Sequence, residues 1–344
     1  MTYRIADILL DWYSREGRDL PWRRTRDPYR IWLSEVILQQ TRVAQGTEYY
    51  LRFVGRFPDV RALAAASEDE VLKLWQGLGY YSRARNLHAA ARQVVDDFGG
   101  RFPTTFAGVR SLRGVGDYTA AAVCSAAYSL PYAAVDGNVY RVLSRLFDIA
   151  EPIDTASGRR LFAELARSQL DERDPGRYNQ AIMDFGALRC TPSPPRCGEC
   201  PFGDRCLALA AGTVVSRPVK QGRTQVRDRW FHYLHITSGG RTLLCRRSGR
   251  DIGRVCTSFR CSKPRRPRIS GRCCGCRVSR NCWAMRRGSC SAVCLLRDTS
   301  FRIRRSMRFS TASRPLRLRL PPKRWPFRPG RWATMPCRGL STAT

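Results

Sequence analysis

A mainly α fold is what this 344-residue chain predicts, followed by a small β-containing segment and a basic tail without regular structure. Three observations carry that reading. From residue 5 to residue 182 apolar side chains recur at helical spacing with no strand signal between them. Four cysteines between residues 190 and 206 then close the helical part. Beyond residue 212 the composition changes twice, first to a polar linker with a hairpin pattern and then, from Gly253, to arginine, cysteine, proline and serine.

The first helix is read from Ile5, Ile8, Leu9, Trp12 and Tyr13, which share one face at i, i+3, i+4, i+7 and i+8. A basic and aromatic loop comes next, Leu20-Pro21-Trp22-Arg23-Arg24, whose plain reading is a solvated connector. Asp27-Pro28 supplies an N-cap and a proline at the first helical position, so a helix is expected to run from there to about Gln40. Within it Glu35 is flanked by Leu33, Val36 and Ile37. Such surroundings desolvate a carboxyl and raise its pKa, although a lone glutamate on a helix is usually surface. Tyr50, Phe53, Val54 and Phe57 mark a further helix, and Ser67 with Glu70 reads as a capping box ahead of Val71, Leu74 and Trp75. The segment Gly77-Leu-Gly-Tyr-Tyr-Ser-Arg-Ala-Arg85 then offers a tight turn. It can push Leu78 and Tyr80 outward and leave Arg83 and Arg85 for phosphates, or bury both apolar side chains as core.

From Ser111 to Phe147 the sequence is the most informative. Leu112-Arg-Gly114-Val115-Gly116 fits a helix that stops at Gly114 and restarts after Gly116, with outward N–H groups that suit a phosphate oxygen. After an Ala-rich run, Asp136 stands at the start of another helix, since Val139, Val142, Leu143 and Leu146 repeat with helical spacing. Each feature alone has a plain reading, a helix corner and an N-cap. Downstream, Cys190, Cys197, Cys200 and Cys206 are spaced C-x6-C-x2-C-x5-C among prolines. Four thiolates so close suit a tetrahedral zinc or a 4Fe-4S cluster, and spacing rules alone leave both open.

Charge and composition bound the partners. The net charge of +33 points to a polyanion, with nucleic acid first. Residues 253–344 carry 24 Lys or Arg against one acid, a net of +23, which leaves +10 for residues 1–252. No apolar h-region and no run near the ~18 residues of a membrane span is present, so a cytoplasmic protein is expected, with no membrane partner and with metal-binding rather than disulfide-bonded cysteines.

Taken together, Ser34-Glu35-Val-Ile-Leu-Gln-Gln-Thr41, Leu112-Arg-Gly-Val-Gly-Asp-Tyr-Thr-Ala120, Val135-Asp-Gly-Asn-Val139 and the cysteine spacing resemble the MutY-type adenine DNA glycosylases of the helix-hairpin-helix, endonuclease III superfamily. The resemblance implies a helical barrel plus an iron-sulfur cluster domain over residues 1–212, with a 4Fe-4S cluster on the loop 190–206. It implies a monomeric DNA repair enzyme that excises adenine opposite 8-oxoguanine or guanine from double-stranded DNA. Glu35 would protonate the base, Asp136 would stay ionised beneath the sugar, and Asn138 would partner that acid. Arg18, Trp22 and Arg23 become pocket candidates. Gln40, Leu78 and Tyr80 would engage the duplex beside the extruded base, and Gly114, Val115 and Gly116 would seat a phosphate. Tyr118 stands where bifunctional relatives carry a lysine. A phenol forms no imine, so a monofunctional enzyme leaving an abasic site is expected. The alternatives are an endonuclease III-like pyrimidine glycosylase and lyase, or a non-catalytic, cluster-bearing DNA-binding protein.

Residues 213–228 read as a linker. Trp230–Ile236 and Arg241–Arg247, joined through Ser238-Gly239-Gly240, read as the first hairpin of a β-containing segment. By resemblance, 229–252 begin a Nudix-like 8-oxoguanine-recognition domain. For 253–344 two readings compete: a natural basic arm, or a shifted reading frame. Relatives typically continue after Asp-Ile with a segment like Trp-Gln-Gly-Leu-Tyr-Glu-Phe-Pro. Dropping one nucleotide from its Trp codon yields Gly-Arg-Val-Cys-Thr-Ser-Phe-Arg, the residues found at 253–260. That match favours the shift.

Overall fold

The computed structural model describes residues 4–222 throughout and, beyond them, the backbone of short strands within 228–336. The first compact unit runs from Met1 to Arg223. Its described residues form α1 (Ile5–Glu16), α2 (Pro28–Leu38), α3 (Val43–Arg56), α4 (Val60–Ala65), α5 (Glu68–Leu74) and α6 (Ser82–Phe98). They continue as α7 (Phe106–Ser111), α8 (Asp117–Tyr128), α9 (Gly137–Leu146), α10 (Ala156–Gln169), α11 (Pro175–Leu188) and α12 (Leu207–Ala210). Helix starts obey local chemistry. Asp27, Asp59, Ser67, Thr105, Asp136, Thr155 and Asp174 each accept a backbone N–H of the first turn, satisfying donors that a helix leaves orphaned.

Two lobes result. Helices α2–α8 pack on one another around Trp32, Phe53, Trp75, Leu87 and Val123. There the Phe53 and Trp75 rings meet edge to face at 5.7 Å. The second lobe gathers α1 and α9–α12 around Leu9, Trp12, Val142, Leu143, Phe162, Phe185 and Phe202. Trp12 and Phe185 cross at 5.1 Å, an arrangement that adds about 0.5–1.5 kcal/mol beyond the area it buries. The chain crosses between them twice: α1 packs on α11, while α2–α8 build the other lobe. Helix α11 also packs on α8, and through that contact the lobes meet.

Some boundaries differ from expectation. Helix α7 ends at Ser111 rather than Gly114, because Leu112 is already extended (ψ 142°) and Gly114 holds a left-handed φ of +79°. A Cβ there would stand 2.7 Å from Asn86 Cβ, so only glycine fits this corner. Helix α4 has no counterpart in the reading of the sequence, being only six residues long. The expected linker is docked as far as Gly222: Asp154 accepts Gln221 N–H at 2.9 Å and Gly222 N–H at 2.8 Å.

In the second unit, 224–344, Thr237–Ser238 pairs antiparallel with Arg241–Leu243, in place of the expected pairing of Trp230–Ile236 with Arg241–Arg247. The strand Asp228–Leu234 does not join that pair; it pairs with Arg260–Ser262 and Val293–Arg302. Val293–Arg302 also pairs with Arg308–Arg317, where the sequence pattern anticipates no strand, since ladder pairing is made by backbone and needs no alternating side chains. Otherwise the expected Nudix-like start at 229–252 and tail at 253–344 lie outside the described residues. Among the described residues no helix is long and apolar enough to cross a membrane.

Candidate active site

Three elements bring together the residues singled out from the sequence. Helix α2 carries Glu35, α8 carries Tyr118 in its first turn, and Asp136 caps α9. Glu35 is enclosed by protein yet keeps a window to solvent. Burial pushes its carboxyl up from 4.5 to about 7; the Tyr118 phenol within hydrogen-bonding reach and the Arg23 charge pull it down, and the nearby Asp136 adds to the rise. Tyr118 also donates to Met183 Sδ at 3.4 Å. Burial, with Glu35 and Asp136 nearby, holds this phenol well above its ordinary pKa, so it stays protonated.

Asp136 accepts three hydrogen bonds. Its Oδ1 takes the N–H groups of Asn138 and Val139, each at 2.8 Å, and Oδ2 takes Asn138 Nδ2 at 2.7 Å. This is the expected pairing of Asp136 with Asn138. Burial outweighs these donors and holds the pKa of Asp136 above its ordinary value. Asn138 is in turn held by Arg141, whose Nη2 donates to Asn138 Oδ1 at 2.8 Å and whose Nε donates to Cys190 O at 2.8 Å.

The basic loop turns inward. Arg18 and Arg23 converge on Asp184 of α11, whose side chain is fully buried. Arg23 donates to Oδ2 and Oδ1 at 2.7 and 2.8 Å, and Arg18 adds its backbone N–H at 2.9 Å and its guanidinium. Burial alone would raise the Asp184 pKa, but the hydrogen bonds from Arg23 and Arg18 bring it below the ordinary value. Trp22 is buried with its ring edge to face against Tyr50 at 5.2 Å. These pocket candidates therefore brace the site, and Arg23 faces Glu35 electrostatically. The reading of the sequence missed Asp184, Arg141 and Met183, none of which has a local signature.

Gln40 and Tyr80 are exposed and Leu78 is buried, the core alternative for that residue. Gly114 and Gly116 are exposed at the hairpin, whereas the Val115 side chain is buried and its N–H bonds Leu112 O at 3.0 Å. Arg83 is not available to phosphates; it is turned onto the end of α2.

Cys190, Cys197, Cys200 and Cys206 line one small cavity with Leu146, Phe185 and Arg145. Buried Arg145 stands 3.4 Å from Cys190 Sγ and donates to Thr191 O at 2.7 Å. Burial pushes the Cys200 thiol up to about 11. Among the described residues no set of donors closes around a single ion.

A helical hairpin from α7 to α8, with an enclosed glutamate and a helix-capping aspartate beside it, defines a class. Residues 33–167 match the model of the HhH-GPD superfamily base excision DNA repair proteins. Among solved structures, the chain is similar to a thermostable thymine-DNA glycosylase, with a TM-score of 0.57 and 30% identity over 60% of this chain and 95% of that one. Sequence relatives narrow this to a branch. An adenine DNA glycosylase of Buchnera aphidicola subsp. Schizaphis graminum is 34% identical over 67% of either chain. One of Mus musculus is 46% identical over 59% of this chain. The chain belongs to the MutY-type helix-hairpin-helix glycosylase family. The match spans 42% of the mouse relative's length.

Proposed function

We propose that this protein is a monofunctional adenine DNA glycosylase of base excision repair, flipping adenine out of a duplex and hydrolysing its N-glycosidic bond. The observation that carries the reading is one site holding two carboxyls in different surroundings, Glu35 with a pKa near 7 and Asp136 with three N–H donors. Breaking such a bond leaves an oxocarbenium-like sugar and a base that must take a proton, so an acid and an anion are needed together. Glu35 keeps its proton near neutrality and delivers it to the base. Asp136 is anionic when its pKa lies below the working pH, and its N–H donors favour that form beneath the sugar. Tyr118 orients Glu35 and offers no amine, so no imine forms and the product is an abasic site. The base reaches these groups only when extruded, at a cost of a few kcal/mol, which the exposed Gln40 and Tyr80 would offset by filling the stack.

The four cysteines fit a 4Fe-4S cluster: thiols spread around a cavity rather than a point, lined apolarly, with the buried Arg145 cation to balance anionic ligands. Cys190, Cys197, Cys200 and Cys206 would hold it. When bound, it would supply a rigid centre ordering the loop 190–206.

The substrate would be double-stranded DNA with adenine opposite 8-oxoguanine or guanine. Recognition of 8-oxoguanine would fall to a Nudix-like domain of which 229–252 are the start. A frame shift at 253 would remove most of it. That reading is supported by the eight-residue match at 253–260. Glu35→Gln and Asp136→Asn test the chemistry: each is expected to abolish single-turnover adenine release while duplex binding stays within about twofold. Retained release by either variant rejects its assigned role.

A further inference from the structure

One side chain bound to the Glu35 helix is not used by the chemistry above. Arg83, in the first turn of α6, reaches back across the molecule to the end of α2, the helix that carries Glu35. Its Nη1 lies 3.1, 3.0 and 2.5 Å from the carbonyl oxygens of Val36, Ile37 and Gln39, and 3.5 Å from Thr41 Oγ1. Its Nη2 donates to Leu78 O at 3.2 Å, so the same plane also grips the glycine loop. The guanidinium sits 5.1 Å from the Trp75 ring centroid and 5.7 Å from that of Tyr80. Trp75 in turn donates to Gly79 O at 2.9 Å.

What these bonds hold is unusual backbone. Gln40 and Tyr80, one on each side of Arg83, have left-handed φ values of 57° and 44°. Neither residue adopts that region readily, and such conformations persist only when their surroundings over-determine them. The loop is further committed at Gly77, with φ +102° and the Tyr49 hydroxyl so near that a Cβ would collide with it. Both strained residues are exposed, while Arg83 binds the carbonyl of Gln39 just before the first and that of Leu78 two residues before the second. A carbonyl end of a helix also carries partial negative charge, which a cation there neutralises.

We propose that Arg83 is a positioning residue: it clamps the end of the Glu35 helix to the glycine loop and so holds Gln40 and Tyr80 poised to enter the duplex when the base leaves. The inference rests on the glycosylase reading for its substrate. A lysine keeps the charge but cannot fork between two loops, so it separates clamping from charge. The experiment uses the full chain and its Arg83→Lys variant on a duplex with 2-aminopurine opposite guanine, whose fluorescence rises when the base unstacks, and on one with adenine opposite guanine. The clamp predicts unchanged helicity, duplex binding within about twofold, loss of the fluorescence rise and at least about tenfold slower adenine release. A lysine variant that flips and releases at the parental rate overturns it. Because that variant could fail to fold, the unmodified chain provides a second measurement, exchange of the Arg83 guanidinium protons with solvent. Slow exchange supports the clamp, and exchange as fast as free arginine overturns it. If the parent releases no adenine, the glycosylase reading fails, and guanidinium exchange alone then decides on the clamp.

Discussion

At Glu35, burial sets both the activity window and a cost in stability. Its pKa rises from 4.5 to about 7, so the acid form needed for proton delivery is lost as pH climbs through about 7. Stability has the same sign. A carboxyl with a raised folded pKa contributes fully below its unfolded pKa, and that contribution is lost as pH rises through the folded one. At about 1.4 kcal/mol per pH unit the loss approaches roughly 3 kcal/mol by pH 8. Glu35→Gln is therefore expected to melt higher than the parent at pH 8 and to match it at pH 4, as thermal denaturation can check; a gap independent of pH would contradict this. Asp184 behaves oppositely, because its arginines depress its pKa and its contribution is lost as pH falls. Asp184→Asn leaves Arg18 and Arg23 without their shared anion and should cost about 3–5 kcal/mol in denaturant unfolding. Glu35 is legible in the sequence because its neighbours Leu33, Val36 and Ile37 announce burial. Asp184 is not, since its partners lie 161 and 166 residues away and a carboxylate within an apolar helix looks the same with or without them.

Helix α9 is the element that joins the two chemical features of the molecule. It starts at Asp136, and one and two turns later Arg141 and Arg145 bind the cysteine loop. Arg141 reaches Asn138 Oδ1 at 2.8 Å, Cys190 O at 2.8 Å and Gly186 O at 2.5 Å. Replacing Arg141 with methionine leaves the Asp136 cap intact but takes the Arg141 donor away from Asn138 Oδ1. Stability should drop by about 1–3 kcal/mol and single-turnover release by about tenfold, and unchanged release would show that Asn138 needs no such support. The start of this helix is plain from Asp136-Gly137-Asn138, an N-cap signal read locally. Its far contacts are not, because a charged residue on an amphipathic helix reads as solvated surface until the packed loop is known. For the same reason the sequence offers Arg83 as a phosphate contact: nothing nearby in the chain reveals the carbonyls of α2.

Over the whole molecule, charge and composition separate the helical unit from the chain beyond it. Residues 1–252 hold +10 of the +33, and the compact unit that contains every proposed catalytic group ends at Arg223. The helical architecture is legible because helical periodicity and N-caps are local, whereas the meeting of two lobes through α8 and α11 is a long-range outcome. If most of the 8-oxoguanine-recognition segment is absent, discrimination between adenine opposite 8-oxoguanine and adenine opposite guanine should be weak. A chain ended after Gly222 should then match the full chain in rate, and a slower short chain would give 223–344 a role in catalysis. The most direct test of the proposed chemistry is single-turnover base release by the full chain on duplexes with adenine opposite 8-oxoguanine, adenine opposite guanine, and thymine glycol, with alkali added to half of each sample. A monofunctional adenine glycosylase gives adenine release and a nick only after alkali. Thymine glycol release with nicking in its absence, or no base release at all, would contradict that function.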